Sequence, residues 1–156
     1  MSSADRDLTV LLPLKDRAPY TLRWLSYADS IRLPFRVLIA DGGVDAAVSN
    51  VLSDRSNFPN VEFEYLRYRP DDSFADYHAK LADAAGRIRT PYAVMIDNDD
   101  FLVVDALRES VQFLRNHADY VACGGQTALF WVGSDRPDGD ALYGGRVEWK
   151  AHRSDQ

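Results

Sequence analysis

The chain has 156 residues, of which 46% are hydrophobic and 27% are charged, a composition that suits one globular domain with a sizeable core. Its net charge of −6 argues against a nucleic-acid partner held by a basic surface. The single cysteine, Cys123, excludes an intrachain disulfide. The sequence has neither an apolar leader nor an apolar run of roughly 20 residues, which predicts a cytoplasmic protein. Peripheral attachment to a membrane is left open.

Short apolar or alternating segments predict the strands, and segments with apolar residues at helical spacing separate most of them. The predicted strands are Leu8–Leu14, Phe35–Ala40, Val61–Tyr68, Tyr92–Ile96, Tyr120–Cys123 and Thr127–Val132. The predicted helices are Ala18–Ile31, Asp45–Ser53, Phe74–Ile88 and Val103–Asn116. This alternation, with short loops between the elements, predicts an α/β fold with a mostly parallel sheet and flanking helices.

The composition changes from Gly133 onward, where the sequence becomes polar and glycine-rich. We therefore expect an α/β domain over residues 1–132. Residues 133–156 are expected to form either a polar tail or the start of a further, truncated region.

Polar clusters directly follow three of the predicted strands. They are Lys15-Asp16-Arg17, Asp41-Gly42-Gly43 and Asp97-Asn98-Asp99-Asp100. In a parallel sheet the carboxyl ends of the strands meet at one edge, where ligands bind, so the three clusters predict one site. Two basic residues elsewhere have an alternative role, Lys80 as a side chain that faces the ligand and Arg67 as a phosphate contact, but we expect both to face water.

The acid-rich run in Tyr92–Leu102 (YAVMIDNDDFL) has several interpretations. In a structural interpretation, Asp99 or Asp100 caps the following helix, which leaves the other carboxylates unexplained. In a functional one, the carboxylate oxygens bind a hard cation such as Mn²⁺ or Mg²⁺. A calcium loop would need glycine where Leu102 stands. An aspartyl phosphatase is a further competitor, but its acidic pair is expected after the first strand.

Three segments carry a resemblance to a known family: LTVLLPLKDR, FRVLIADGG and YAVMIDNDDFL, in this order. Together they resemble the N-terminal, nucleotide-sugar-binding part of a family-2 glycosyltransferase of the GT-A fold. The resemblance extends over roughly Leu8 to Gly125 and implies a Rossmann-like nucleotide-binding half. It also implies a nucleotide-sugar donor, expected to be a UDP-sugar, and a Mn²⁺ or Mg²⁺ cofactor.

The resemblance implies roles for individual side chains at the strand ends. The matching positions are Pro13, Lys15, Asp16 and Asp41 for the nucleotide, Asp97 for the ribose, and Asp99, with Asp97 and Asp100, for the metal. Two positions depart from the family's common Asp-Asp-Gly-Ser element, because Ala40 stands at its first acid and Gly43 at its serine.

The implied reaction is inverting transfer of a sugar to an unknown acceptor: a sugar, a lipid or a protein. The family's general base lies in a downstream acceptor region, so we expect it to be absent from this chain. Apolar surface left uncovered by that region predicts a homo-oligomer. The alternative is a non-catalytic nucleotide-sugar-binding module. A nucleotidyltransferase is a third possibility, but the first predicted strand is not followed by the glycine-rich loop expected there.

Overall fold

The computed structural model describes residues 3–125, 128–133 and 146–151. The chain divides into two compact units, Met1–Ala118 and Asp119–Gln156, and each is described by itself. The expected domain boundary between residues 132 and 133 stays a prediction. Among the described residues, no helix has the length and apolar character needed to cross a membrane.

Strands and helices alternate through the first unit. Its strands are β1 (Leu8–Leu14), β2 (Arg36–Asp41), β3 (Phe63–Arg67) and β4 (Tyr92–Met95). Its helices are α1 (Ser3–Arg6), α2 (Ala18–Ser30), α3 (Ala47–Leu52), α4 (Phe74–Gly86) and α5 (Val104–Asn116), with a short 3₁₀ helix at Arg55–Asn57. The first four predicted strands and all four predicted helices are confirmed, with small shifts at their ends.

The four strands form one parallel sheet in the order β3-β2-β1-β4. Leu14 at the end of β1 lies opposite Asp41 of β2, and Asp41 lies opposite Arg67 of β3. Strand β4 ends earlier along the sheet, since its last residue, Met95, lies opposite Leu11. The carboxyl ends of β1, β2 and β3 are therefore level at one edge, which we call the rim.

Both faces of the sheet are covered by helices, as the alternation of side chains along a strand requires. On one face Leu12 of β1 packs in a cluster with Trp24 and other residues of α2, α3 and α5. On the other face Leu11 packs in a smaller cluster with Ala84 of α4. The predicted α/β fold with a parallel sheet and flanking helices is confirmed.

The described part of the second unit contains an antiparallel strand pair. Strand β5 (Ala128–Gly133) pairs with β6 (Arg146–Ala151), with Ala128 opposite Ala151. The strand predicted at Thr127–Val132 is thus confirmed over its described residues, whereas the strand predicted at Tyr120–Cys123 is wrong, because that segment is irregular and Cys123 is exposed. An apolar run of four residues is too short for periodicity to identify a strand.

The central strand predicts a large effect of core truncation. Leu12 is completely buried in β1, so Leu12→Ala should lower the free energy of unfolding by about 2–5 kcal/mol through lost burial and a residual cavity. Urea denaturation measures this change. The control is Val44→Ala, whose side chain is 71% exposed and which should change stability by less than about 0.5 kcal/mol. Equal losses in the two variants would contradict the described packing.

Candidate functional site

Asp41 is the most firmly held acid at the rim. It is only 3% exposed, and its Oδ1 atom accepts the backbone N–H of Gly43 at 2.8 Å. Its Oδ2 atom accepts the Tyr65 hydroxyl at 2.6 Å and the Arg67 guanidinium at 2.7 Å. Arg67 also donates to the Gly43 carbonyl at 2.6 Å. Arg67 is exposed, as expected, but its guanidinium also compensates the buried Asp41 carboxylate.

Asp16 joins the loop after β1 to the loop after β2. Its Oδ1 atom accepts the backbone N–H groups of Val44 at 2.7 Å and Asp45 at 3.1 Å. Asp16 and the next residue, Arg17, both have left-handed backbone conformations, with φ of 57° and 56°. Such conformations cost on the order of 1–3 kcal/mol each for residues other than glycine and often occur at functional sites.

Two contacts join the loop after β4 to the start of α2. Arg17 donates to Asp99 Oδ2 at 2.9 Å, with half of the arginine side chain exposed, and its guanidinium lies 4.3 Å from the centre of the Tyr20 ring. Beside it, buried Asn98 donates to the Thr21 hydroxyl at 3.0 Å. The left-handed turn at the start of α2 therefore directs the Arg17 guanidinium onto Asp99, one of the predicted metal ligands.

The acids of the run after β4 do not cap the helix that follows. Helix α5 begins at Val104, and its capping position, Val103, makes no side-chain capping bond. Asp97, Asp99 and Asp100 are exposed. Partial desolvation raises the pKa of Asp100, and the charges of Asp99 and Asp97 raise it further. The structural interpretation of this run as a helix cap is therefore wrong.

The predicted metal ligands do not form a closed metal-binding site within the protein. Across the part of the chain that the structure describes, no group of three or more histidine, cysteine, aspartate or glutamate side chains is arranged to hold a metal ion. Asp99 also has one oxygen bonded to Arg17. The carboxylates of Asp97 and Asp99 still suit a hard cation chemically, provided that other ligands come from outside the chain. Metal binding by these residues stays a prediction.

The other predicted residues lie close to the strand ends in different environments. Pro13 is buried within β1 opposite Ala40, beyond the point where β4 pairs, so its missing N–H breaks no bond with β4. Lys15 is exposed and donates to the backbone carbonyl of Asp71. Lys80, expected to face water, is instead 3% exposed and forms an ion pair with Asp71. Sequence reasoning did not single out Asp71.

The fold of this chain is similar to that of solved structures of TarS from S. aureus. The structure of TarS and that of TarS 1-349 each align with 72% of this chain, at 18% identity and a TM-score of 0.51. TarS is a glycosyltransferase. This chain has a glycosyltransferase-like fold.

The likeness is partial in length. The aligned region covers 20% of the TarS chain and 33% of the TarS 1-349 chain, so this chain spans at most about a third of either. The sequence matches no protein-family model, and no curated protein matches it significantly. At this level of identity the likeness describes the fold, and the activity is argued from the site.

In the turn after β2, the addition of a single methyl group at Gly42 is expected to destabilise the fold. A Cβ atom at Gly42 would overlap the Asp71 carboxylate, so Gly42→Ala should lower the free energy of unfolding by about 1–3 kcal/mol. The control is Gly86→Ala at the end of α4, where a Cβ would meet nothing within 4 Å and alanine is the better helix former. Thermal or urea unfolding compares the two. Equal stability of Gly42→Ala and Gly86→Ala would contradict the close approach of the Asp71 carboxylate to Gly42.

A second prediction concerns the pH dependence of stability. The backbone N–H groups of Asp45 and Val44 hold the pKa of Asp16 below its ordinary value of 3.8. A carboxyl group with a lowered folded-state pKa stabilises the fold above its unfolded pKa and loses this contribution as the pH falls through the folded value. Asp16→Ala should therefore give a shallower loss of unfolding free energy below about pH 4 than the wild type.

Urea denaturation at several pH values between about 2.5 and 6 measures this slope. Asp16→Asn keeps a side-chain acceptor for Val44 and Asp45 but does not titrate, so it should show the same shallow slope as Asp16→Ala. If both variants follow the pH profile of the wild type, Asp16 does not contribute to acid unfolding in the predicted direction.

Proposed function

We propose that this chain is the nucleotide-sugar-binding part of a glycosyltransferase. One observation supports the proposal: the loops that follow β1, β2 and β4, three parallel strands of a glycosyltransferase-like fold, all carry acids. The carboxyl ends of parallel strands form the edge at which ligands of open α/β sheets bind. Contacts of Asp16, Asp41 and Asp99 with neighbouring loops and strands support a preorganised rim.

Asp41 is our choice for the contact with the nucleotide base. A carboxylate accepts roughly four hydrogen bonds, and Asp41 receives three, from Gly43, Tyr65 and Arg67. One acceptor position is left for an N–H group of the base. Asp16 orders the adjoining loop, and Lys15, whose ammonium carries three donors, has further donors available beside its bond to Asp71.

A divalent cation, Mn²⁺ or Mg²⁺, is part of the proposal. Asp99 and Asp97 would hold it, with Asp100 as the third candidate, and the oxygens of the donor's diphosphate would complete the coordination. Such a cation neutralises negative charge on a leaving diphosphate. Arg17 shares the Asp99 carboxylate and adds a second positive group on the same side of the rim.

The proposed reaction is inverting transfer from the donor, expected to be a UDP-sugar, to an acceptor hydroxyl. We assign no general base in this chain. The acceptor, the cytoplasmic location and self-association stay predictions. The second candidate, a non-catalytic nucleotide-sugar-binding module, is favoured by one observation: Asp99 is already bonded to Arg17, and no group of three or more metal-ligating side chains is assembled among the described residues. Hydrolysis of a UDP-sugar, or transfer to an added acceptor, would separate the two.

The proposal predicts metal-dependent binding of a nucleoside diphosphate. Unfolding is measured with UDP, GDP or ADP, each with and without Mn²⁺; a ligand at about 100 times its dissociation constant should add about 2.7 kcal/mol of stability. Asp99→Ala should remove the part of this gain that requires Mn²⁺, because it removes the proposed cation ligand.

The matched control is Glu109→Ala, which removes an exposed carboxylate from α5 and should leave the gain unchanged. A Mn²⁺-dependent gain that survives in Asp99→Ala would remove Asp99 from the site. No gain with any of the three nucleotides, with or without Mn²⁺, would refute the proposed function.

A further inference from the structure

A second set of charged and polar groups lies next to the candidate site. We call it the Asp71 junction; it consists of Leu14, Gly42, Asp71 and Lys80. The Lys80 ammonium donates to the Leu14 carbonyl at 2.7 Å and forms an ion pair with the Asp71 carboxylate. Gly42 donates its N–H to the same Leu14 carbonyl at 3.0 Å, and its own carbonyl accepts the Asp71 N–H at 2.8 Å. The junction thus joins the ends of β1 and β2 to the loop after β3 and to α4.

Stability alone is a weak explanation for this ion pair. The side chains of Lys80 and Asp71 are 1% and 2% exposed, so both charges have lost their hydration. A well-packed apolar pair of similar size often gives equal or greater stability, because it carries no such desolvation cost. In addition, the Asp71 Oδ1 atom is buried and has no hydrogen-bond partner in the described structure.

The junction lies within two residues of two acids of the candidate site, Asp16 and Asp41. Gly42 directly follows Asp41, and the next residue, Gly43, donates its N–H to the Asp41 carboxylate. Lys15 directly precedes Asp16 and donates to the Asp71 carbonyl. Movement of Asp71 would therefore be transmitted to both acids through the backbone.

We propose that the Lys80–Asp71 ion pair is a positioning element for the nucleotide site. This inference rests on the proposed function. Neither residue contacts the ligand; the pair holds the turn after β2 at a fixed distance from the loop after β1, so that Asp41 and Asp16 keep one orientation. The absence of a Cβ at Gly42 allows the Asp71 carboxylate to approach the turn closely enough for this role.

The test uses the double variant Lys80→Met/Asp71→Asn, which removes both charges and nearly preserves the volume. The control is Val111→Ala, a buried site on α5 that belongs to the core and is remote in sequence from the junction. Hydrogen exchange measured by NMR reports on the amides of residues 42 and 71, whose bonds belong to the junction. We expect both amides to exchange about tenfold faster in the double variant than in Val111→Ala, with central β1 amides similar in the two variants.

Calorimetric titration then measures binding of UDP and GDP in the presence of Mn²⁺. The double variant should lose affinity by about tenfold or more, as is typical when a supporting contact behind a site is removed. Val111→Ala should bind within about twofold of the wild type, because destabilisation of a distant core site leaves the rim unchanged in the folded molecules. This comparison separates positioning from a merely structural role.

Each result has a definite meaning. Unchanged exchange at residues 42 and 71, or wild-type affinity in the double variant, overturns the positioning role while the proposed function stands. If the wild-type chain binds neither UDP nor GDP, this inference is overturned, and so is the proposal that the candidate site binds one of these nucleotides. If the double variant does not fold, Lys80→Arg is compared in the same way, because it keeps both charges but changes the length of the arm that sets the distance between the two loops; wild-type exchange and affinity in that variant would then overturn the role.

Discussion

The parallel register of the sheet determines most of the candidate site. Because Leu14 lies opposite Asp41, and Asp41 opposite Arg67, three strands end at the same level and their last side chains are neighbours. A shift of one residue between β2 and β3 would turn Arg67 to the opposite face of the sheet and leave Asp41 buried without its cation. The core makes such a shift costly, since it would also turn Phe63 of β3 away from the cluster in which it is buried. Packing far from the rim therefore maintains the geometry at the rim.

Acids near the rim are neutralised by cations from other elements of the fold. Arg67 of β3 compensates Asp41, Lys80 of α4 compensates Asp71, and Arg17 at the start of α2 pairs with Asp99. The three pairs differ in exposure, and thus in energy: Arg17–Asp99 is screened by water, whereas Lys80–Asp71 is almost completely buried. Asp97 and Asp100 form no ion pair among the described residues, so the loop after β4 keeps two acids without a compensating cation.

Periodicity is sufficient to predict the strands and helices of the first unit, and the order of strands and helices places Asp16, Asp41 and Asp99 in or beside loops that follow strand ends. The partners of these acids could not be predicted in the same way. The contact of Arg67 with Asp41 depends on the register between two strands, which a single sequence does not reveal. Burial of Lys80 depends on which side of α4 packs against the sheet. A positive charge on a helix usually indicates a solvent-exposed side, so the charge of Lys80 predicted exposure. The error at Tyr120–Cys123 has a simpler cause, because a strand needs a neighbour to pair with and a short apolar run does not supply one.

The early end of β4 has a consequence for how the sheet can be enlarged. In the described sheet β4 is an outer strand, and its Met95 side chain is 57% exposed. A strand docking along this boundary would bring new side chains beside the acidic loop, whereas one docking along β3 would bring them beside Arg67. A segment with basic side chains would therefore be favoured at β4, whereas at β3 the charge of Arg67 is already compensated by Asp41.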